Sequence, residues 1–147
     1  MTSRSAAIAL LVIFSGAAQA VAPAPAGAAA SPCALVTGAE ASTAMHARAL
    51  PAIARSGRDG ASCRYYSANH QMNVFVKLIS RDELTGAAQF GGKSVPGVGD
   101  KAIWAGGTLF VQKGGSAASI GLYLSSASMQ RMDPAIVTLG RLAASRM

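Results

Sequence analysis

Apolar and polar positions alternate most clearly across residues 71–79. Met72, Val74, Val76 and Leu78 fall on one side of a pleated strand there, with Asn73, Phe75 and Lys77 on the other. A second alternating run sets Ala118, Ile120, Leu122 and Leu124 against Ser119, Gly121, Tyr123 and Ser125, which predicts a strand with one buried side. Ahead of it, KAIWA at 101–105 and TLFVQK at 108–113 carry branched and aromatic residues that suit a half-buried sheet. Leu109 and Val111 share one face of the latter and Phe110 takes the other. Gly106-Gly107 and Gly114-Gly115 separate these runs, and paired glycines supply the positive φ that two-residue hairpin loops need. Residues 94–124 therefore read as a tight turn and a three-stranded antiparallel meander. CRYYSA at 63–68 predicts one more strand, turning through 67–70 into the 71–79 run.

The period changes to that of a helix in three places. Thr37 with Glu40 forms a capping box, followed by Ala41, Ala44 and Met45 on one face, and Pro51 bars continuation. Ser80 with Glu83 makes a second box, opening a short helix over residues 82–90 that Gly91-Gly92 ends. Asp133-Pro134 places an acceptor at a cap and a pre-set φ behind it. Ala135, Ile136, Leu139, Leu142 and Ala143 then form a helical stripe, with Arg141 and Arg146 near the negative end of the helix dipole. Residues 55–61, RSGRDGA, read as a polar turn. The order α-β-β-α-β-β-β-α predicts an α+β domain: a single antiparallel sheet of about five strands with helices packed on one face.

The start of the chain has a different character. Arg4 precedes the apolar run AAIALLVIF at 6–14, too short to span a bilayer, and Ala18-Gln19-Ala20 offers small residues to a signal peptidase. Residues 1–20 are expected to be a signal peptide cleaved near Ala20. A second site, Ala28 to Ala30, and a retained anchor are the alternatives. Residues 21–32, VAPAPAGAAASP, read as a disordered spacer, leaving 33–147 as one domain. The expected location is periplasmic or secreted, with no stable transmembrane span after processing.

Export bears on the cysteines. Cys33 and Cys63 are the only two, and in an oxidising compartment they are expected to pair. Such a bond closes a loop of about thirty residues and is worth about 3–4 kcal/mol in the chain-entropy model. A redox-active or metal-binding pair is the rival, but no C-x-x-C spacing is present.

Three short motifs carry a family resemblance. CALVT at 33–37 with Glu40-Ala41, CRY at 63–65 and VPGVGDKA at 95–102 resemble the C-x-L-L-T, C-x-Y and V-P-G-x-G-D-x-A motifs of small exported bacterial domains of unknown function, many of them lipoproteins. The resemblance covers residues 33–147. It implies an exported, disulfide-bonded α+β domain of the PsbP-like sort and transfers no active site. Pro32 precedes Cys33 and no lipobox is present, a departure that bears on membrane anchoring.

Composition narrows the function further. Thirteen Lys and Arg against six Asp and Glu give +7, a balance that draws anionic partners. The basic residues are scattered, with no stripe interleaved with aromatics, so nucleic acid is not an expected partner. The glycine-bearing loop at 95–100 lacks the Lys-Ser/Thr ending of a phosphate loop, and Asp100 is expected to bind nearby backbone amides instead. No G-x-S-x-G occurs, and only His46 and His70 could serve as imidazole bases, so no catalytic residue and no cofactor is assigned. His70 and Met72 would project from one side of a strand, and with Met45-His46, Met129 and Met132 they form a candidate Cu(I) set. The simpler reading gives Met72 to the core and His70 to a turn.

The aromatic residues Tyr65, Tyr66, Phe75, Trp104, Phe110 and Tyr123 cannot all face one core if the alternation holds. A second sheet face is expected to carry some of them, covered by a loop in the preferred reading or exposed to a partner in the other. Phe75, Phe110, Lys77 and Lys113 are the candidate binding surface. The sequence thus points to an exported, non-catalytic binding module for an unidentified, anionic envelope or extracellular partner. A periplasmic copper-handling protein using His70 and Met72 is the alternative.

Overall fold

The computed structural model describes residues 31–124, 127–128 and 132–147. The leader, both candidate cleavage sites, most of the spacer, and Met129 lie outside them. No helix among the described residues is long and apolar enough to cross a membrane.

One antiparallel sheet organises the chain. It runs β1 (Ile53–Gly57), β2 (Gly60–Tyr66), β3 (Met72–Leu78), β7 (Ser116–Leu124), β6 (Thr108–Lys113), β5 (Lys101–Ala105), β4 (Lys93–Ser94), while β8 (Ala127–Ser128) pairs with the end of β7. The predicted meander is β5, β6 and β7, and its two turns fall on the two glycine pairs. The predicted count of about five strands is too low, and the predicted order of elements omits four of them. β1 occupies part of the segment expected to be a turn, which shrinks to Arg58-Asp59. All five residues of β1 are exposed, so burial imposed no hydrophobic rhythm on it. The two-residue β4 and β8 and the one-turn helix α1 (Pro32–Leu35) are too short for any periodicity.

The buried face is built from aliphatic residues. Val74 and Val76 of β3, Leu109 and Val111 of β6, and Ile120 and Leu122 of β7 meet α1, α2 (Gly38–Met45) and α4 (Pro134–Ser145). Tyr65 and Trp104 belong to this side. The Tyr65 hydroxyl donates to the Val36 carbonyl at 2.7 Å, and burial raises its pKa above the usual phenol value. Both capping boxes form, Thr37 with Glu40 and Ser80 with Glu83. Asp133 caps α4 by accepting from the Ala135 amide at 2.7 Å.

α3 (Arg81–Gln89) departs from the expectation that all helices share one face. It crosses β5, β6 and β7 on the outer side, burying Leu84 near Ile103, Ala117 and Ser119, positions that alternate away from the main core. The chain then reaches the loop at 95–100, where Val95 and Val98 are buried. Gly99 has φ +58°, and a Cβ there would strike the Gln112 carbonyl, so only glycine fits. Asp100 accepts from the Gly114 amide at 2.7 Å and from Lys113 at 2.6 Å, clamping this loop to the β6–β7 turn.

Two clamps tie the helical layer together. Cys33 and Cys63 form a disulfide joining α1 to β2. Arg146 donates two hydrogen bonds to the Glu40 carboxylate, at 2.6 and 2.7 Å, and a third to the Leu35 carbonyl at 2.9 Å. The paired guanidinium holds the Glu40 pKa down at about 2.

Opening the disulfide by Cys33→Ser with Cys63→Ser is expected to cost about 3–4 kcal/mol in urea denaturation, close to the entropy of the loop it closes. Glu40 has a depressed folded-state pKa, so its contribution is full above the ordinary value of 4.5 and disappears as pH falls toward about 2. Glu40→Gln is therefore expected to cost about 1–3 kcal/mol at pH 7. The gap between parent and variant should close between about pH 5 and pH 2; a gap independent of pH contradicts the pairing.

Candidate functional site

The outer face of the sheet has two halves. α3 covers the half built on β5 and β6, where Phe110 lies in register with Ile103 and Ser119. The other half, across β1, β2 and β3, has no helix over it among the described residues. Cross-strand register there sets Ile53, Arg64, Phe75 and Gly121 in one row, with Arg55, Ser62 and Lys77 in the next. Tyr66, Asn73 and Tyr123 form a third.

Arg64 is the centre of this surface. Its guanidinium carbon lies 5.0 Å from the Phe75 ring centroid and 6.0 Å from that of Tyr66, and Nη1 donates to the Tyr66 hydroxyl at 3.3 Å. A guanidinium has five N–H donors, so most of its donor capacity is left over. Neither Arg64 nor Arg55 forms an ion pair among the described residues. With Ile53, Ser62, Tyr66 and Phe75 they enclose a dent of about 80 Å³. Its aromatic floor favours the cation and keeps water from one side of it.

Tyr123, in the third row, is fixed by its own neighbours. Gly121 sits beneath the ring of Tyr123, and a Cβ there would strike it. The Tyr123 and Thr108 hydroxyls hydrogen-bond at 2.9 Å, anchoring the ring on the covered half. Asn73, between Tyr66 and Tyr123 in register, has a buried Oδ1 with no hydrogen-bond partner among the described residues. Leaving such an acceptor unmet costs about 1–3 kcal/mol.

The structure brings together two of the four residues expected to form the binding surface. Phe75 and Lys77 lie on the open half, but Lys77 is paired with Glu83 at 2.9 Å and holds its pKa below the usual carboxylate value. Phe110 faces the same way on the half that α3 crosses. Lys113 lies at the β6–β7 turn, bound to Asp100, whose pKa it lowers. The two sulfur and imidazole candidates part company. Met72 packs against the main core, whereas His70, in a turn at φ +56°, approaches the ring of Tyr66, an outer-face residue, at 5.9 Å.

Arg55 and Arg64 were not singled out by sequence. Arg64 alternates with Cys63 and Tyr65, a signal that it faces away from the core. Arg55 stands two residues after Ile53 and two before a glycine, a weaker sign of a strand. A larger depression of about 440 Å³ separates α2 from α4, walled by Ala44, Leu139 and Leu142. Both of its carboxylates are committed, Glu40 to Arg146 and Asp133 to the α4 cap.

Comparison with known protein families, curated proteins and solved structures finds no match for this chain.

Gly121→Ala is expected to push the Tyr123 ring off the sheet and destabilise the fold by about 1–3 kcal/mol in urea denaturation. Thr108→Val, which removes only the hydroxyl partner, should cost about 1 kcal/mol. A loss well below about 1 kcal/mol for Gly121→Ala would show that the ring does not rest on Gly121.

Proposed function

We propose that the protein is an exported, non-catalytic binding module that holds an anionic partner on the open half of its outer sheet face. The observation that carries this reading is Arg64, spread over Phe75 with no carboxylate beside it and flanked by Arg55. An aromatic floor limits the conformations of the cation and so lowers the entropy lost when an anion binds. The excess of positive charge draws such a partner in from a distance.

Four of the six acidic residues support the absence of catalysis. Glu40 and Glu83 serve capping boxes and ion pairs, Asp100 clamps a turn, and Asp133 caps α4. Export is supported by the signal-like start and by the disulfide, which suits an oxidising compartment. The PsbP-like resemblance of the three motifs agrees with a module of this kind.

Poly-L-glutamate at about 0.15 M salt, where charges more than about 8 Å apart are largely screened, is a suitable probe. The parent is expected to bind it, and Arg55→Glu with Arg64→Glu to bind at least about tenfold more weakly, a loss of about 1.4 kcal/mol. Lys93→Glu with Lys101→Glu makes the same change in net charge on β4 and β5 and should bind within about twofold of the parent. Equal weakening by both pairs would reduce the effect to net charge and overturn the proposal.

A further inference from the structure

β1 lies at the edge of the sheet and, among the described residues, pairs only with β2. All five of its residues are exposed, Ile53 by 44%. In an antiparallel pair, alternate residues turn their N–H and C=O groups away from the neighbour, so an edge strand shows a row of unmet donors and acceptors. Proteins commonly blunt such edges with charged side chains, a proline, a bulge or a very short strand. Arg55 is the one charge on β1, a barrier to most added strands but not to an acidic one. β4, at the opposite edge, is two residues long, whereas β1 has five and no proline.

The edge and the arginine dent adjoin one another. Ile53 and Arg55 belong to β1, line the dent, and would be the cross-strand neighbours of any strand added there. The dent, about 80 Å³, is well below the several hundred Å³ of a typical metabolite site and is of a size for one side-chain group. Its two unpaired guanidinium groups select a carboxylate. A second copy of the chain fits poorly, because antiparallel pairing of β1 with itself about its middle residue opposes Arg55 to Arg55.

We propose that the β1 edge accepts an extended acidic peptide segment as an added antiparallel strand, its acidic side chains on the outer face beside Arg55 and Arg64. This rests on the outer face being the binding surface. Backbone pairing supplies sequence-independent affinity, and the arginines select for acidic residues at every second position.

The probe is a heptapeptide alternating threonine with glutamate, measured against the full chain by amide NMR and titration. It is expected to bind at least about tenfold more tightly than its threonine–lysine counterpart. It should also slow hydrogen exchange of alternate β1 amides. In a strand, residues on one face also share the direction of their N–H groups, so two N-methylated versions separate pairing from charge. Methylating either all glutamates or all threonines should abolish binding, while the other version binds as the parent does. If both methylated peptides bind equally well and Arg64→Glu abolishes binding, the anionic face stands and strand addition is overturned. If binding survives both arginine reversals, the face and the edge proposal fall together. No binding of the glutamate peptide, or a dimer in sedimentation that buries β1, also overturns the edge proposal.

Discussion

β3 and β7 share seven residue pairs, from Met72 opposite Leu124 to Leu78 opposite Ala118. This seam pairs residues 40 to 52 positions apart in the chain and makes one sheet of the β1–β3 and β5–β7 antiparallel runs. Val74, Val76, Ile120 and Leu122 lie along it on the core side, all of them essentially without solvent contact. A contact of such sequence separation repays its loop-closure entropy only if it buries a good deal of apolar surface. The helical layer of α1, α2 and α4 provides that burial on one side.

The same seam explains why the other side is unevenly covered. The chain between β3 and β7 holds α3 and the β4–β6 strands, and α3 is short enough to shield only β5, β6 and the adjacent part of β7. Nothing in the connection reaches back over β1 and β2. Aromatic rings and arginine stems take over there, since both present apolar area while keeping a polar end in water. The stacked Arg64, Phe75 and Tyr66 are the outcome of a half-roofed sheet.

Much of this was legible where burial or capping leaves a local mark. The β3 alternation, the glycine-pair turns, both capping boxes and the Asp133-Pro134 helix start all appear in the structure, whereas β7, expected to bury one side only, is buried on both from Ala117 to Leu122 because α3 lies over its outer side. The cysteine pair does too. β1 left no mark because an exposed edge strand obeys no hydrophobic rhythm. The side on which α3 lies was equally hidden, since a capping box fixes where a helix begins and says nothing of which sheet face receives it. Phe75 was recognisable from its place opposite an aliphatic face. Lys77 and Lys113 were chosen for charge alone, and tertiary contacts gave each of them a carboxylate.

The hold of Arg146 on Leu35 and Glu40 places the last turn of the chain beside its first described helices. The first and last described residues therefore lie on the helical side of the sheet, where α1 and α4 also touch. Ser31, at the start of α1, is thus on the side opposite the stacked arginine. Any contact made through the helical layer leaves the arginine surface free to face the other way.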